Sequence, residues 1–371
     1  MNARNDQKLA AALFCGFLAV MMVLYVLLPK KDFSQLEKRY LAETPELTWE
    51  NVSEGDFADD IADYMADHMP FRDFFVGLNA YYDLLSGRQV TKDVYTAADD
   101  RLVEAPVTWN QTAMTRNMTA INGFGSAVEA PVDLMLIPSA GWAGQSLVQG
   151  LHGDYTDDGL IDRVYAMAEP GLRTVDMTDS YRDRPELFYK TDHHWNSRGA
   201  WIGYAGYMEA LGLPYRGAED FTVETVEGFR GSTYSRSGLW LTPAEPIELW
   251  HGSDSVTVTN AESGEPHAGV FYRERLQEAD MYTVNLDGNH SLVRLENPDA
   301  LTDDTLLVVR DSYSNSLGTF LTETYKTVIL VDLRYYRSPV SELCAREKVD
   351  NVLICYSIGN FTTDTNIVWL K

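Results

Sequence analysis

Cysteine is scarce: the 371 residues hold three, Cys15, Cys344 and Cys355. Cys15 lies inside an apolar run, which leaves one possible intramolecular pair, so neither a disulfide framework nor a CxxC metal site can be built. Cys344 and Cys355 are most simply two small buried hydrophobes. Positive charge is short as well. The 30 Lys and Arg face 55 Asp and Glu, a formal balance of −25, and a chain that acidic repels phosphate backbones, which argues against nucleic acid as a partner. Apolar material is ample, at 45% hydrophobic and 12% aromatic residues, so global disorder is excluded. The length suits one or two domains with appendages.

Long uncharged runs are rare, with one exception: Leu9–Leu28, LAAALFCGFLAVMMVLYVLL. At 1.5 Å per residue it makes roughly 30 Å of helix, enough to cross a bilayer core. A cleaved signal peptide has a shorter apolar core and a small-residue cleavage site. The exit VLLPKKD offers none, so residues 1–31 are expected to be an uncleaved membrane anchor. Arg4 and Lys8 lie on one side of it, and Lys30, Lys31, Lys38 and Arg39 on the other, so charge does not favour export of the body. Residues 32–110 are expected to form a stalk and a helical segment. Apolar residues between Asp56 and Leu85 recur at helical spacing, interrupted by Asp67–Arg72 (DHMPFR), with Pro70 in position to open the second helix. His68, isolated beside that break, reads as packing or capping.

Residues 111–371 read as one α/β domain. Val132–Pro138 is an apolar run feeding a loop, 157–167 a helix and 173–177 a second strand. The stretch from Asn196 has helical spacing and is stopped by Gly212 and Pro214. Between about 215 and 297, short β-branched and aromatic runs (246–250, 255–258, 269–273) alternate with Gly, Ser and Asn, the pattern of an antiparallel insertion. Runs at 306–309, 328–331 and 352–356 then alternate with helices at 314–324 and 340–346. Repeated βα units imply a mostly parallel, doubly wound sheet with helices on both faces, whose ligands bind beyond the carboxyl ends of the strands.

Three such ends carry chemistry. Arg310-Asp311-Ser312-Tyr313 follows one run and Ser357-Ile358-Gly359-Asn360 another, and Lys190-Thr191-Asp192-His193-His194-Trp195 runs straight into a helix. Serine needs a neighbouring base, and an imidazole oriented by a carboxylate supplies it. Asp192 and His194 have the spacing for that pair. Amides at the helix start after Ser312, and the Asn360 carboxamide, can hold an oxyanion. Against this, Asp-Ser before a helix is ordinary capping and Gly-Asn an ordinary turn. A metal reading of His193 and His194 would need a further ligand from His152, His251, His267 or His290, none at motif spacing.

Tyr189–Ala200 (YKTDHHWNSRGA) resembles the signature of the DHHW protein family, which is similar to SGNH-hydrolase-like O-acetyltransferases of exported polysaccharides such as alginate. Ser34–Arg39 with Pro45, Asp67–Arg72, Gly231–Ser237, Gly288-Asn289, Val309–Tyr313 and Val331–Tyr336 resemble further blocks. The resemblance implies an SGNH-like fold, circularly permuted because Asp192 and His194 precede Ser312. It implies Ser312 as nucleophile, His194 as base, Asp192 as its partner, and Gly359 and Asn360 at the oxyanion. His193 is expected to have a structural or substrate-facing role rather than that of base, and Tyr313 to face substrate; Arg310, standing where the hydrolase block has glycine, is expected either to crowd the nucleophile or to hold an anionic substrate. It further implies an extracytoplasmic O-acetyltransferase acting on a cell-envelope glycan, with no bound cofactor and with its acetyl donor passed on by a membrane-bound O-acyltransferase. An esterase with the same triad and a non-catalytic glycan-binding protein are the alternatives.

Overall fold

The computed structural model describes residues 3–88 and 90–370; Met1, Asn2, Gln89 and Lys371, which the expected segments 1–31, 32–110 and 111–371 include, lie outside it. The chain divides into two units: residues 3–88 with Gly238–Trp240, and the rest.

The smaller unit begins with α1 (Ala3–Leu27), of which Gln7–Leu27 is long and apolar enough to cross a membrane. The hairpin β1 (Phe33–Ser34) and β2 (Arg39–Tyr40) follows, then α2 (Trp49–Glu54), α3 (Asp56–Asp67) and α4 (Arg72–Leu85). The break between α3 and α4 falls where the DHMPFR run puts it, but Pro70 does not open α4. Phe71 does, as a left-handed N-cap at φ 57°. This unit buries few apolar side chains and is knit by ions. Arg39 forks onto both oxygens of Asp67. Arg39 and Arg72 share Glu37, at 3.0 and 2.7 Å. The Ala42 amide donates to Asp67 Oδ2 at 2.9 Å and His68 Nε2 donates to the Ala42 carbonyl. On α4, Trp240 stacks on Phe74 with ring centroids 5.8 Å apart, over Gly77, where a Cβ would come within 1.8 Å of the indole.

The larger unit opens with a meander, β3 (Val90–Thr91), β4 (Val94–Ala97) and β5 (Arg101–Glu104), and continues with α5 (Gln111–Ala127), β6 (Val132–Ile137), α6 (Ala140–Ala143), α7 (Asp157–Tyr165), β7 (Leu172–Asp176), α8 (Thr178–Tyr181) and α9 (Ser197–Leu211). Then come β8 (Thr222–Phe229), α10 (Ser232–Ser237), β9 (Glu245–His251), β10 (Thr257–Asn260), β11 (Pro266–Ala268) and β12 (Leu292–Glu296). The chain closes with β13 (Thr305–Arg310), α11 (Ser314–Thr324), β14 (Thr327–Val331), α12 (Val340–Glu347), β15 (Asn351–Ser357) and α13 (Ile358–Thr363).

Eight strands form one sheet in the order β11-β10-β12-β14-β13-β15-β6-β7. The run from β14 to β7 is parallel and the β11-β10-β12 edge antiparallel. The period of two along each central strand divides its side chains between two cores. Leu306, Val308, Leu353 and Cys355 pack with α9 and α11, through Tyr204, Met208, Leu317 and Phe320. Leu307, Val309, Val352 and Ile354 pack with α5, α7 and α12, through Met118, Ile161 and Leu343. Both faces are therefore helix-covered, as the alternation of runs and helices implies.

The region 215–297 is less separate than its composition suggests. Only β8 and β9 form a hairpin of their own; β10, β11 and β12 extend the main sheet. The expected strand at 269–273 is not one: a lone bridge joins Phe271 to Asn285, and the edge strand lies upstream at Pro266–Ala268. Gly269, at φ 81°, turns the backbone away where the β-branched pattern would have extended it.

Asp67 explains how the smaller unit should respond to acid. The Arg39 fork holds its carboxyl down to about 2, so the stability it contributes is present above the unfolded value near 4 and is lost as pH falls toward about 2. Protection of the Ala42 amide against hydrogen exchange should drop across that window in the native chain and stay flat in Asp67→Asn. Equal profiles would show that the fork does not hold the hairpin.

Candidate active site

The parallel register aligns the strand ends. Arg310 stands level with Cys355, and Ser357 with Ile137, so the chain leaves β13, β15 and β6 at one rim. Ser312 sits in the turn between β13 and α11. Asp192, His193 and His194 lie in the loop that the Phe188–Trp195 bridge closes, just before α9, whose first turn Asn196 caps through the Gly199 amide.

These two stretches meet although 118 positions apart. His194 Nε2 lies 2.7 Å from Ser312 Oγ, and His194 Nδ1 lies 2.5 Å from Asp192 Oδ1. Asp192 also accepts the backbone amides of His194 (2.9 Å) and Ser232 (2.6 Å). A buried carboxylate accepting several N–H groups is favoured in its charged form. With Asp192 on Nδ1–H, Nε2 carries the lone pair, so Ser312 donates to it. Asp192 is 1% and His194 5% exposed, whereas Ser312 is only half-buried. The pair is sealed and the hydroxyl is reachable.

The loop is fixed from several sides. Glu245 accepts from the Lys190 and Thr191 amides at 2.8 and 2.7 Å and from the Thr191 hydroxyl at 2.6 Å; burial pushes its carboxyl up. Trp195 Nε1 donates to the Tyr313 carbonyl (3.0 Å) and Ser316 Oγ (2.9 Å), and the Tyr313 hydroxyl donates to the His193 carbonyl. Gly231 lets the backbone pass Asp192, where a Cβ would fall 2.1 Å from the Asp192 Cβ. Tyr282 stacks on the His194 ring, centroids 4.0 Å apart and planes 8° from parallel, while its hydroxyl donates to the Ser312 carbonyl at 3.1 Å. Burial raises the phenols of Tyr282 and Tyr313, so both stay donors.

The remaining candidates take different places. His193 turns from Ser312: its Nδ1 lies 2.5 Å from Ser232 Oγ. Burial, and then the charge of His194, lower its pKa, so it stays neutral when its neighbour takes a proton. Tyr313 is core, 2% exposed. Arg310 is fully buried rather than open to substrate, with Nη1 on Asn289 (3.0 Å) and Asn315 (2.5 Å). Asn360 Nδ2 donates to Asp311 Oδ2 at 2.8 Å, which fixes the carboxamide plane. Gly359 is the second residue of α13, beside Asn360, with only Val107 close to the place of a Cβ. Asp311 ties the rim together, for it also accepts the Ser357 amide and hydroxyl and the Tyr313 amide.

Asp192, His193 and His194 also offer metal-ligand atoms within 4.8 Å of one another. Asp192 Oδ1 and His194 Nδ1 are engaged with each other and His194 Nε2 with Ser312, so a cation there would have to break the chain of hydrogen bonds.

Sequence reasoning alone does not reach Tyr282, Ser232, Glu245 or Asp311. The first three approach Asp192–His194 only through tertiary folding. Asp311 carries a local signal, a carboxylate beside a strand-end serine, that reads equally as a cap.

Residues 173–331 match the family described as DHHW protein. No curated protein matches the sequence. Among solved structures, the chain is similar to a DHHW family protein from Eubacterium siraeum, at 18% identity and a TM-score of 0.65, over 76% of this chain and 95% of that one. It is also similar to Bacillus cereus PatB1, solved with a sulfonyl adduct, at 20% identity and a TM-score of 0.63, over 75% and 98%. A second PatB1 structure gives 21% and 0.62, over 75% and 99%. At such identities the likeness is one of fold. Residues 173–331 of this chain are DHHW-like in sequence, and the α/β unit built around them shares its fold with the DHHW family protein.

Proposed function

We propose that the chain is a membrane-anchored O-acyltransferase, an acetyltransferase by its family resemblance, that modifies a cell-envelope glycan through an acyl-Ser312 intermediate. The observation that carries the reading is the hydrogen-bonded series Asp192–His194–Ser312 at the carboxyl rim of the sheet.

In the first half-reaction Ser312 Oγ attacks the carbonyl carbon of the acyl donor while His194 Nε2 takes the hydroxyl proton. Asp192 holds the imidazolium by its Nδ1–H and keeps the ring in the productive tautomer. The second N–H of Asn360, beyond the one on Asp311, would donate to the oxyanion with the Ser312 amide. The donor's C–O bond breaks and its leaving oxygen receives the proton from Nε2. A sugar hydroxyl then gives its proton to His194 and attacks the acyl carbon, and Ser312 Oγ departs with that proton. Tyr282, flat against His194, prevents the ring from swinging as it gains and loses charge.

The order of the blocks, with Asp192 and His194 before Ser312, supports a circularly permuted SGNH arrangement. An exported glycan puts the body outside the cytoplasm with α1 in the membrane, and the donor then comes from a membrane-bound O-acyltransferase rather than a soluble cofactor. PatB1 has been solved with a sulfonyl adduct, which recommends a sulfonyl fluoride as a probe of Ser312 here.

Mass spectrometry of the full chain should find one sulfonyl or acetyl group on Ser312 after treatment with a sulfonyl fluoride or an activated acetyl ester. Ser312→Ala should lose the adduct, and Asp192→Asn should slow ester turnover by about 100-fold or more. Adduct formation unchanged in Ser312→Ala would reject the mechanism. Acetate as the sole product with oligosaccharide present would make the protein an esterase, and glycan binding without turnover would make it a binding protein.

Gly231→Ala should displace Asp192 and lower kcat by about tenfold or more with the fold intact by circular dichroism. Native kcat in that variant would show that the close approach has no bearing on the carboxylate. Tyr282→Phe, which keeps the ring, should cost less than Tyr282→Leu, which removes it; the reverse order would assign the effect to the hydroxyl.

A further inference from the structure

Most aromatic rings of the α/β unit are buried or half-buried. Among its described residues the two most exposed are Tyr335, at 54%, and Trp369, at 45%. One exposed ring is ordinary, but each of these two lies against an arginine. Arg334 Cζ sits 5.6 Å from the Tyr335 ring centroid and Arg337 Cζ 5.8 Å from that of Trp369. Arg337 also joins the two turns. Its Nη2 donates to the Arg334 carbonyl at 2.8 Å, and its Nη1 to the Leu333 carbonyl at 2.9 Å and to Asn366 Oδ1 at 3.4 Å.

The turn that carries Tyr335 is fixed from within. Asp332, 1% exposed, accepts the Arg334 amide and Nε on Oδ1 at 3.0 and 2.9 Å, and Arg334 Nη2 on Oδ2 at 2.6 Å. Its carbonyl accepts the Tyr335 and Tyr336 amides at 3.0 and 2.8 Å. The fork raises the guanidinium's affinity for its proton and leaves Nη1 without a hydrogen bond among the described residues. A buried carboxylate thus holds one half-exposed arginine still beside an exposed ring, which lowers the ordering cost of a ligand there.

This turn leaves β14 at the rim that carries the nucleophile. Val331 stands level with Val309 in the parallel register. Arg334 and Ser312 each lie three positions further on, from strands about 4.8 Å apart. Asp311, next to Ser312, is among the charges that act on Arg334. A ligand seated on Tyr335 therefore reaches Ser312 from the neighbouring strand end. A protein partner calls for a contiguous apolar patch. Single rings separated by guanidinium and carbonyl groups suit a pyranose instead, whose flat C–H face packs on an aromatic ring while its hydroxyls take donors at the edge. That face is flattest where every ring hydroxyl is equatorial.

We propose that Tyr335 and Trp369 are the stacking platforms of an acceptor subsite for a β-linked, gluco-configured glycan, with Arg334 Nη1 donating to a sugar hydroxyl. The inference rests on the chain acting on a glycan and names the surface that receives it.

The full chain in detergent, with no acyl donor present, is titrated with cellohexaose and with chitohexaose, and saturation-transfer NMR reads which sugar protons touch the protein. Saturable binding of at least one is expected, with transfer strongest at the axial protons H1, H3 and H5. Tyr335→Ala and Trp369→Ala should each weaken it about fivefold or more, whereas Tyr335→Phe and Trp369→Phe, which keep a ring, should stay within about twofold. No saturable binding of either sugar, or unchanged affinity in the two alanine variants, would overturn the subsite. So would a loss in Tyr335→Phe as large as that in Tyr335→Ala. Because no turnover is involved, the two readings fail separately. Ring-dependent binding without acylation of Ser312 would support the subsite and reject the acyl chemistry, and acylation without binding would strike the subsite alone.

Discussion

An imidazole shared between a carboxylate and a hydroxyl is the contact around which the α/β unit is arranged. Nothing local brings His194 to Ser312. The two meet because β13 and β15 end in register and because the loop before α9 folds over that rim. Glu245 gathers the amides of Lys190 and Thr191, Gly231 leaves room for Asp192, and Trp195 and Tyr313 cross-link the loop to the serine turn. Each of these supports acts on Asp192 or His194 and leaves the half-buried Ser312 open. The acyl transfer proposed for this site would need a rigid base and carboxylate and an approachable nucleophile.

Arg310 and Asp311 show how adjacent residues at a strand end are sent to opposite environments. Asp311 collects four donors from Tyr313, Ser357 and Asn360, so its desolvation is well offset. Arg310 points the other way, into Asn289 and Asn315, while its Nε and Nη2 have no hydrogen-bond partner among the described residues. A buried donor left unpaired costs about 1–3 kcal/mol. Attraction from Asp332 and Asp311 works against that cost, while Arg334 and burial lower the guanidinium's affinity for its proton.

The two units are stabilised by different means. The α/β unit buries two continuous apolar layers against one sheet. The smaller unit leaves Ile61, Met65, Phe74 and Leu78 exposed in part and relies on Arg39, Arg72, Glu37 and Asp67 for its fixed geometry. Ion pairs near a surface contribute modestly and fade with salt, so the smaller unit is the more sensitive of the two to ionic strength.

The apolar runs at 132–137, 306–309, 328–331 and 352–356 are legible because a buried parallel strand must be apolar on both faces, and structure places strands at each. The helix beginning at Ser197 is legible through its Asn196 cap and its Gly212 stop at φ 68°. The D-x-H spacing and the serine after a strand are legible too, since both are short-range patterns. The 269–273 run misleads because β-branched composition records burial and not pairing, and the chain pairs Pro266–Ala268 instead.

By itself, then, the sequence determined the alternation of strands and helices, the apolar helix at the start, and the short Asp-x-His and strand-end serine patterns, all through periodicity and nearest-neighbour chemistry. Only tertiary structure decided that β10, β11 and β12 join the main sheet, that Tyr282 lies flat on His194, that Arg310 is buried and that Asn360 is engaged by Asp311. Those outcomes depend on register and on loop closure across dozens to hundreds of residues. The free energy of such closures lies in contacts between residues that no local spacing relates.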